Sequence, residues 1–226
     1  MEYRTPRRLF FAGTDTEVGK TYVTSLVAKL LGNQGCKVGV YKPVASGCQQ
    51  VNNTLVAEDA VALWQAAGKP LTLEQVCPQR FEKALAPPQA AEAEGKKVCI
   101  DQLINGIVPW EKDSEVLLIE GAGGLFSPIA DGLLNLDLAK QLNAQIILVA
   151  ENRLGAIHQV IATCEAAKAH QCVPAGIFLS HPKNEFHEAL RENPNQMERY
   201  SKIPILGTVP FGGDEQHVAG INSILK

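Results

Sequence analysis

Short apolar runs of four or five residues recur along this chain, and stretches of helical period separate them. Leu9-Phe10-Phe11-Ala12 reads as a buried strand ending at Gly13. From Thr21 onward, Val23, Leu26, Val27, Leu30 and Leu31 fall at the i, i+3, i+4, i+7, i+8 spacing of an amphipathic helix. Gly32 to Gly35 ends it. Val38 to Tyr41 predicts a second strand, broken at Pro43, and Glu58 to Ala67 a second helix. Val116 to Ile119 is apolar throughout, as expected of a strand covered on both faces. Ile146 to Ala150, Ala175 to Leu179 and Ile205 to Val209 repeat that pattern. Helices are expected around Asp137 to Leu142, Ala156 to Ala169 and Glu185 to Tyr200. Strand and helix in alternation predict an α/β fold, a mostly parallel sheet with helices on both faces. Lys69 to Lys97 breaks the rhythm with Pro70, Pro78, Pro87 and Pro88, and reads as a small insertion or a long functional loop. Residues 1–226 show no repeat and no low-complexity tract, and read as a single domain.

Gly13-Thr-Asp-Thr-Glu-Val-Gly19-Lys20-Thr21 joins the first strand to the first helix. Strand, glycine-containing loop and helix are the context in which such a loop binds phosphate. Its backbone N–H groups and the helix N-terminus face anionic oxygens. Lys20 would reach the outer phosphates as a point charge, and the Thr21 hydroxyl is a hard oxygen suited to Mg²⁺. The spacing departs from the common pattern, with five residues between Gly13 and Gly19 in place of four. The fold class is therefore P-loop NTPase-like.

Ligands of open parallel sheets sit outside the carboxyl ends of the strands. Three more features fall there. Lys42-Pro-Val-Ala-Ser-Gly47 follows the second strand, and Asp59 opens the next helix. Glu120-Gly-Ala-Gly-Gly124 follows the third strong strand. Glu120 reads either as a metal-holding acid or as a solvated strand-end carboxylate. Asp59 reads either as a metal ligand or as an acid favoured at a helix start. Together with Thr21 they would complete a hard-oxygen set for Mg²⁺. Lys42, a second lysine beside a phosphate site, would stabilise more negative charge than ATP hydrolysis alone develops.

Composition narrows the classes. The chain has 226 residues, 46% hydrophobic and 20% charged, which excludes a disordered or collagen-like chain. The net charge of -3 argues against a nucleic-acid binder. No apolar run approaches the ~20 residues needed to span a bilayer, and the run after the basic stretch Arg4 to Arg8 is too short for a secretion signal. The expectation is a cytoplasmic protein with no membrane partner. Cys36, Cys48, Cys77, Cys99, Cys164 and Cys172 form no CxxC pair and read as reduced structural thiols. The histidines 158, 170, 181, 187 and 217 show no metal spacing. Ser127 has no His/Asp partner signature for a hydrolase.

At Gly13 to Thr21, Lys42 to Gly47, Asp59 and Glu120 to Gly124 the chain resembles the dethiobiotin synthetase family. Ala86-Pro87-Pro88 and Arg153-Leu154-Gly155 extend the resemblance, with the motifs in family order from residue 9 to about 211. The resemblance implies a homodimer of P-loop subunits. It also implies a reaction in which 7,8-diaminononanoate, CO2 and MgATP give dethiobiotin, ADP and phosphate. Carried over by residue, Lys42 would stabilise carbamate and transferring phosphate, helped by Lys20 and Thr16. Glu17, Val18, Gly19, Lys20, Thr21 and Tyr22 would cover the ATP phosphates. Asp59, Glu120, Gly121, Ala122 and Gly123 would line the same ATP site. Thr21, Asp59 and Glu120 would hold Mg²⁺, and Ser46 would touch the diamine. Leu154, Gly155 and Ala156 would cap the substrate carboxylate from the other subunit, and Pro210, Phe211 and Gly212 would meet the adenine.

Two departures stand out. Ser180-His181 occupy the place of a frequent adenine-reading Asn-Asp pair, which implies relaxed base selectivity. Gln89 stands for a frequent His in the Pro-Pro segment. The competing class is a P-loop nucleotide switch of the partitioning or maturation type. Thr14-Asp15-Thr16-Glu17 in the loop and the short ending Ile221 to Lys226 lower that reading. An amidoligase with a second, glutaminase domain would need more chain than this.

Overall fold

A computed structural model describes residues 5–184 and 188–226. Arg4 of the basic stretch, His187 and the first three positions of the helix expected from Glu185 lie outside the described residues.

The expected strands form one six-stranded, all-parallel sheet. They are β1 (Arg7–Gly13), β2 (Val38–Tyr41), β3 (Val116–Gly124), β4 (Gln145–Glu151), β5 (Gly176–Ser180) and β6 (Ile205–Val209). Their order across the sheet is β6-β5-β4-β1-β3-β2. The helices used below are α1 (Lys20–Asn33), α2 (Glu58–Ala66), α3 (Pro87–Ala93), α4 (Asn135–Gln141), α5 (Ala156–Ala169) and α6 (Asn193–Ser201), of which α3 packs on the short strand Pro128–Ala130 and not on the six-stranded sheet. From β1 the chain runs to one edge, at β2, and from β3 it crosses past β1 to build the other side. Right-handed crossovers in opposite directions place their helices on opposite faces. Accordingly α1 packs with α2 and the 3₁₀ stretch Glu215–Ser223, whereas α4 lies on β3 and α5 packs with α6.

Burial explains the apolar runs. Leu9 to Phe11, Leu117 to Ile119, Ile147 to Val149 and Ile177 to Leu179 are all fully buried. Burial of every side chain in a run, not of alternate ones, means that both sheet faces are covered.

Three differences from the sequence pattern have physical causes. β3 continues through Glu120 to Gly124 instead of stopping at Ile119, because Phe11 of β1 pairs opposite Glu120. Glu120 is accordingly a fully buried residue within a strand, not a solvated strand end. The last long helix begins only at Asn193, with Pro194 in its first turn, after a 3₁₀ turn at Glu188–Leu190. Proline lacks the N–H that a helix interior needs but fits the first turn. The irregular segment Lys69 to Lys97 is a structured insertion. Gln79–Arg80 pairs in parallel with Val44–Ala45, just beyond the Lys42 turn, and α3 follows with Pro87 at its start.

All six cysteines are free thiols. Burial pushes Cys77 up to about 12 and Cys164 up to about 11, so neither is a thiolate at neutral pH. Among the described residues no helix is long and apolar enough to cross a membrane.

Truncation of Leu118 in β3 to Ala is expected to cost about 2–5 kcal/mol of stability. It would be read as a lower denaturant midpoint at unchanged slope. A loss below about 1 kcal/mol would mean that β3 is not packed from both sides.

Candidate active site

The sheet changes direction at β1, and the loop that leaves β1 stands at that reversal, where open α/β sheets bind ligands. The Thr14 N–H donates to the Val149 carbonyl at 2.9 Å and anchors the loop to β4. Val18 is buried, and its carbonyl accepts the Ser180 hydroxyl at 2.6 Å, which ties the loop to β5. Gly19 caps α1 with φ +78°, a left-handed conformation that a side chain would strain. Among the described residues no side chain caps α1 and no acid sits in its first turn. The helix therefore presents unsatisfied N–H groups and the positive end of its dipole to the cavity.

Beneath the loop lies a charged cluster. Lys42 follows β2, and its N–H donates to the Val76 carbonyl at 2.8 Å. Its Nζ lies 2.6 Å from Glu120 Oε1, 3.2 Å from Asp59 Oδ2 and 3.2 Å from the Gly121 carbonyl. The Thr21 hydroxyl donates to the same Glu120 Oε1 at 2.9 Å. The Lys42 and Glu120 side chains are 4% and 0% exposed, whereas Asp59 is 51% exposed and reaches in from the rim.

The electrostatics follow from this geometry. Burial alone would lower the Lys42 pKa, but the Glu120 and Asp59 carboxylates outweigh it and raise the ammonium above its ordinary value. Lys42 is thus a fixed positive charge and not a general base at neutral pH. The Lys42 ammonium, against the opposing effect of burial, holds the Asp59 carboxyl below the usual range. Lys20 is lowered by burial and then by repulsion from Lys42. An arriving polyanion would favour the charged form of Lys20.

These groups line a cavity of about 720 Å³. Thr16, Glu17, Gly19, Lys20, Thr21 and Tyr22 of the loop and α1 line it, together with Lys42, Ser46 and Asp59. Ala122 and Gly123 of β3 line it as well. Val18, Glu120 and Gly121 lie beneath the surface and not on it. Pro210, Phe211 and Gly212 stand outside the lining, but the Tyr22 hydroxyl donates to the Gly213 carbonyl and links that loop to the cavity. Leu154, Gly155 and Ala156 are also outside the lining; Leu154 is 89% exposed and α5 starts at Ala156. An apolar segment also lines it, Ala84, Leu85, Ala86 and Pro87, with Pro128. Ala86 and Pro87 belong to the Ala-Pro-Pro segment that the resemblance included, whereas Ala84, Leu85 and Pro128 carried no signal in the sequence. Ser127, set aside as a nucleophile, is also at the cavity, and its Oγ accepts the Gly124 N–H at 3.0 Å.

Glu120 Oε2 is buried with no hydrogen-bond partner among the described residues. With the Thr21 hydroxyl and the Asp59 carboxylate it makes a hard-oxygen set of the kind Mg²⁺ takes. Among the described residues no group of three or more His, Cys, Asp or Glu is placed to hold a metal.

The sheet order, the loop and the acid within β3 define a P-loop nucleotide-binding α/β protein. Solved structures of that fold are similar over nearly the whole chain. The MinC:MinD cell division protein complex of Aquifex aeolicus has a TM-score of 0.55 at 11% identity, covering 97% of this chain and 95% of that one. A ParA family ATPase from Chlorobium tepidum TLS has a TM-score of 0.56 at 12% identity, covering 97% and 92%. A family profile described as "AAA domain" matches residues 7–215. The ATP-dependent dethiobiotin synthetase BioD of Rhodopirellula baltica is 44% identical, over 88% of this chain and 82% of the relative. That of Bacillus cereus (strain B4264) is 37% identical, over 91% and 84%. The chain belongs to the ATP-dependent dethiobiotin synthetase family, whose members are ATP-dependent ligases.

Removal of one partner from a buried ion pair leaves the other charge uncompensated, at a cost of about 3–5 kcal/mol. Lys42→Met is expected to lose that much, mostly through Glu120, since half-exposed Asp59 is screened. The raised Lys42 contributes fully below its unfolded value near ~10.4 and is lost as pH rises through the folded one. The depressed Asp59 contributes fully above about 3.9 and is lost as pH falls through its folded value. The parental ion pair should therefore contribute in full from about pH 5 to 9 and less on either side. A difference between parental and variant denaturation below about 1 kcal/mol at pH 7 would show that the pair is not buried as described.

Proposed function

We propose that this chain forms dethiobiotin from 7,8-diaminononanoate, CO2 and ATP, releasing ADP and phosphate, in biotin biosynthesis. The observation that carries the reading is the placement of Lys42. A buried ammonium, held protonated between two carboxylates, lines the same cavity as the glycine-containing loop and an apolar segment. Hydrolysis of ATP alone needs neither that second lysine nor that apolar wall. The relatives at 37–44% identity support the same reading, whereas the MinC:MinD complex and the ParA family ATPase are alike at 11–12% identity, which carries the fold alone.

The chemistry suits a site without a nucleophilic side chain. One substrate amine bonds to the carbon of CO2 and loses a proton, giving a carbamate. A carbamate oxygen attacks the γ-phosphorus as the bond to ADP breaks, giving a carbamic-phosphoric anhydride. The second amine then attacks the carbamate carbon, phosphate leaves, and the ureido ring closes with release of a proton. Each step builds or moves negative charge, so fixed positive groups and position are what the protein supplies. Lys42 would stabilise the carbamate and the transferring phosphoryl group, with Lys20 and the Thr16 hydroxyl beside it.

Residues 17–22 would hold the phosphates through backbone N–H groups and the α1 N-terminus, with Gly121, Ala122 and Gly123 backing the same ATP site. Thr21, Asp59 and Glu120 would hold Mg²⁺, which when bound neutralises charge on the nucleotide phosphates. Ser46 would orient the diamine, whose aliphatic chain suits the wall at Ala84 to Pro87. Exposed Leu154 and Gly155, and buried Ala156 behind them, are not part of the lining of their own cavity. They suit a homodimer in which each subunit caps the substrate carboxylate of the other. Pro210, Phe211 and Gly212 would flank the base. The Ser180 hydroxyl is engaged by Val18, which supports relaxed base selectivity.

Supplied with diamine, bicarbonate, Mg²⁺ and ATP, the chain should yield dethiobiotin by mass spectrometry. Phosphate release without that product would contradict the reading. Lys42→Ala should lower kcat by at least about 10²-fold, the usual effect of removing a charge-stabilising donor, while nucleotide still binds. Turnover within a few-fold of the parental chain would remove Lys42 from its role. GTP and CTP should support turnover within about tenfold of ATP, a discrimination below ~1.4 kcal/mol. A preference of a thousandfold would show that other groups read the base.

A further inference from the structure

The pairing of β3 with β1 changes register beside the cavity. Phe11 stands opposite Glu120, but Gly13 stands opposite Gly124, so two steps along β1 match four along β3. A bulge of this kind strips backbone groups of their ladder partners, and buried ones must find others. Asn135, the first residue of α4, is fully buried and supplies them. Its Nδ2 donates to the carbonyls of Ala122 at 2.7 Å, Gly124 at 2.9 Å and Ser127 at 3.2 Å. Its Oδ1 accepts the Ala122 N–H at 3.2 Å. The side-chain amide thus pairs with both backbone groups of Ala122, as a neighbouring strand would. Gly121 makes room for it: a Cβ there would lie 2.5 Å from Asn135 Oδ1.

The bulge separates two surfaces of the site. Just before it, Glu120 is aimed at Lys42 and Thr21. Within it, Ala122 and Gly123 form the cavity wall. We propose that Asn135 is a positioning residue for the reaction. Its amide sets the backbone of Ala122 to Gly124, and through it the aim of Glu120 and the distance of that wall from the phosphate loop. Asn135 itself touches no substrate. The shape of this side chain is not sufficient, because the role needs a donor and an acceptor on one planar group. An aspartate keeps the shape but loses both amide hydrogens and turns a carboxylate toward three carbonyls. Displacements of an ångström near reacting groups cost rate out of proportion to stability. The proposal rests on the reading of the cavity as the ATP and diamine site.

The test compares the parental chain with Asn135→Asp, Gly121→Ala and the double variant. The measurements are cooperative thermal unfolding, hydrogen exchange at the Ala122 amide, and kcat and KM for ATP in dethiobiotin formation. Asn135→Asp should unfold cooperatively and exchange the Ala122 amide at least about tenfold faster. Its kcat should fall about 10- to 100-fold while the KM for ATP stays within about threefold. Gly121→Ala, whose methyl would meet both Asn135 Oδ1 and the Phe10 ring, should show the same split. The double variant should lose less than the product of the two single losses, because the Asn135 amide contact is removed only once. A kcat per folded molecule within twofold of parental, or losses that multiply in the double variant, would overturn the proposal. Should Asn135→Asp not fold, Gly121→Ala decides by the same kcat criterion. A parental chain that makes no dethiobiotin would instead overturn the substrate reading, a failure distinguishable because it is seen without any substitution.

Discussion

The contact between the Lys42 ammonium and the Glu120 carboxylate, 2.6 Å apart and out of reach of solvent, fixes the rest of the site. Two charges taken from water on this scale are stable only when they are paired and further hydrogen-bonded. Asp59 and the Gly121 carbonyl complete the shell of Lys42, and the Thr21 hydroxyl adds a donor to Glu120. One cluster therefore locks β2, β3, α1 and α2 together at the carboxyl end of the sheet. It also keeps a positive charge where an anion would arrive, and balances it with carboxylates suited to a divalent cation. Stability and chemistry draw here on the same charges.

Around that cluster the backbone provides what side chains do not. The left-handed Gly19 turns the chain so that α1 points its N–H groups into the cavity. Ser180 holds the loop down through the Val18 carbonyl, and Asn135 replaces the ladder partners that the β3 bulge lacks. Both are buried polar residues, and each serves a carbonyl that the sheet leaves over. The insertion is joined to the Lys42 turn by its parallel pairing with Val44–Ala45, which brings Ala84 to Pro87 over the site.

Much of the fold was legible because both faces of the sheet are covered. A run such as Leu117 to Ile119 then reads without ambiguity, and α5 begins and ends where its periodicity does. The extension of β3 through Glu120 was not legible, since glycines and a charged residue carry no strand signal and only the pairing with Phe11 creates one. The phosphate loop, Lys42, Asp59 and Glu120 stood out as charged or glycine-rich breaks after apolar runs, and the fold gathers them in one place. Of the apolar segment only Ala86-Pro87 stood out, through the resemblance, and Ala84, Leu85 and Asn135 did not. Alanine and leucine have no chemistry to announce, and one asparagine at a helix start looks like any other until the bulge that it fills is seen.

The central claim is that a carbamate oxygen, and not water, attacks the γ-phosphorus beside Lys42. Turnover with ¹⁸O-labelled CO2 tests it directly, because the attacking oxygen leaves with the phosphate while its twin stays in the ureido carbonyl. The account predicts one ¹⁸O in each phosphate released per dethiobiotin formed. Unlabelled phosphate formed alongside labelled dethiobiotin would contradict it.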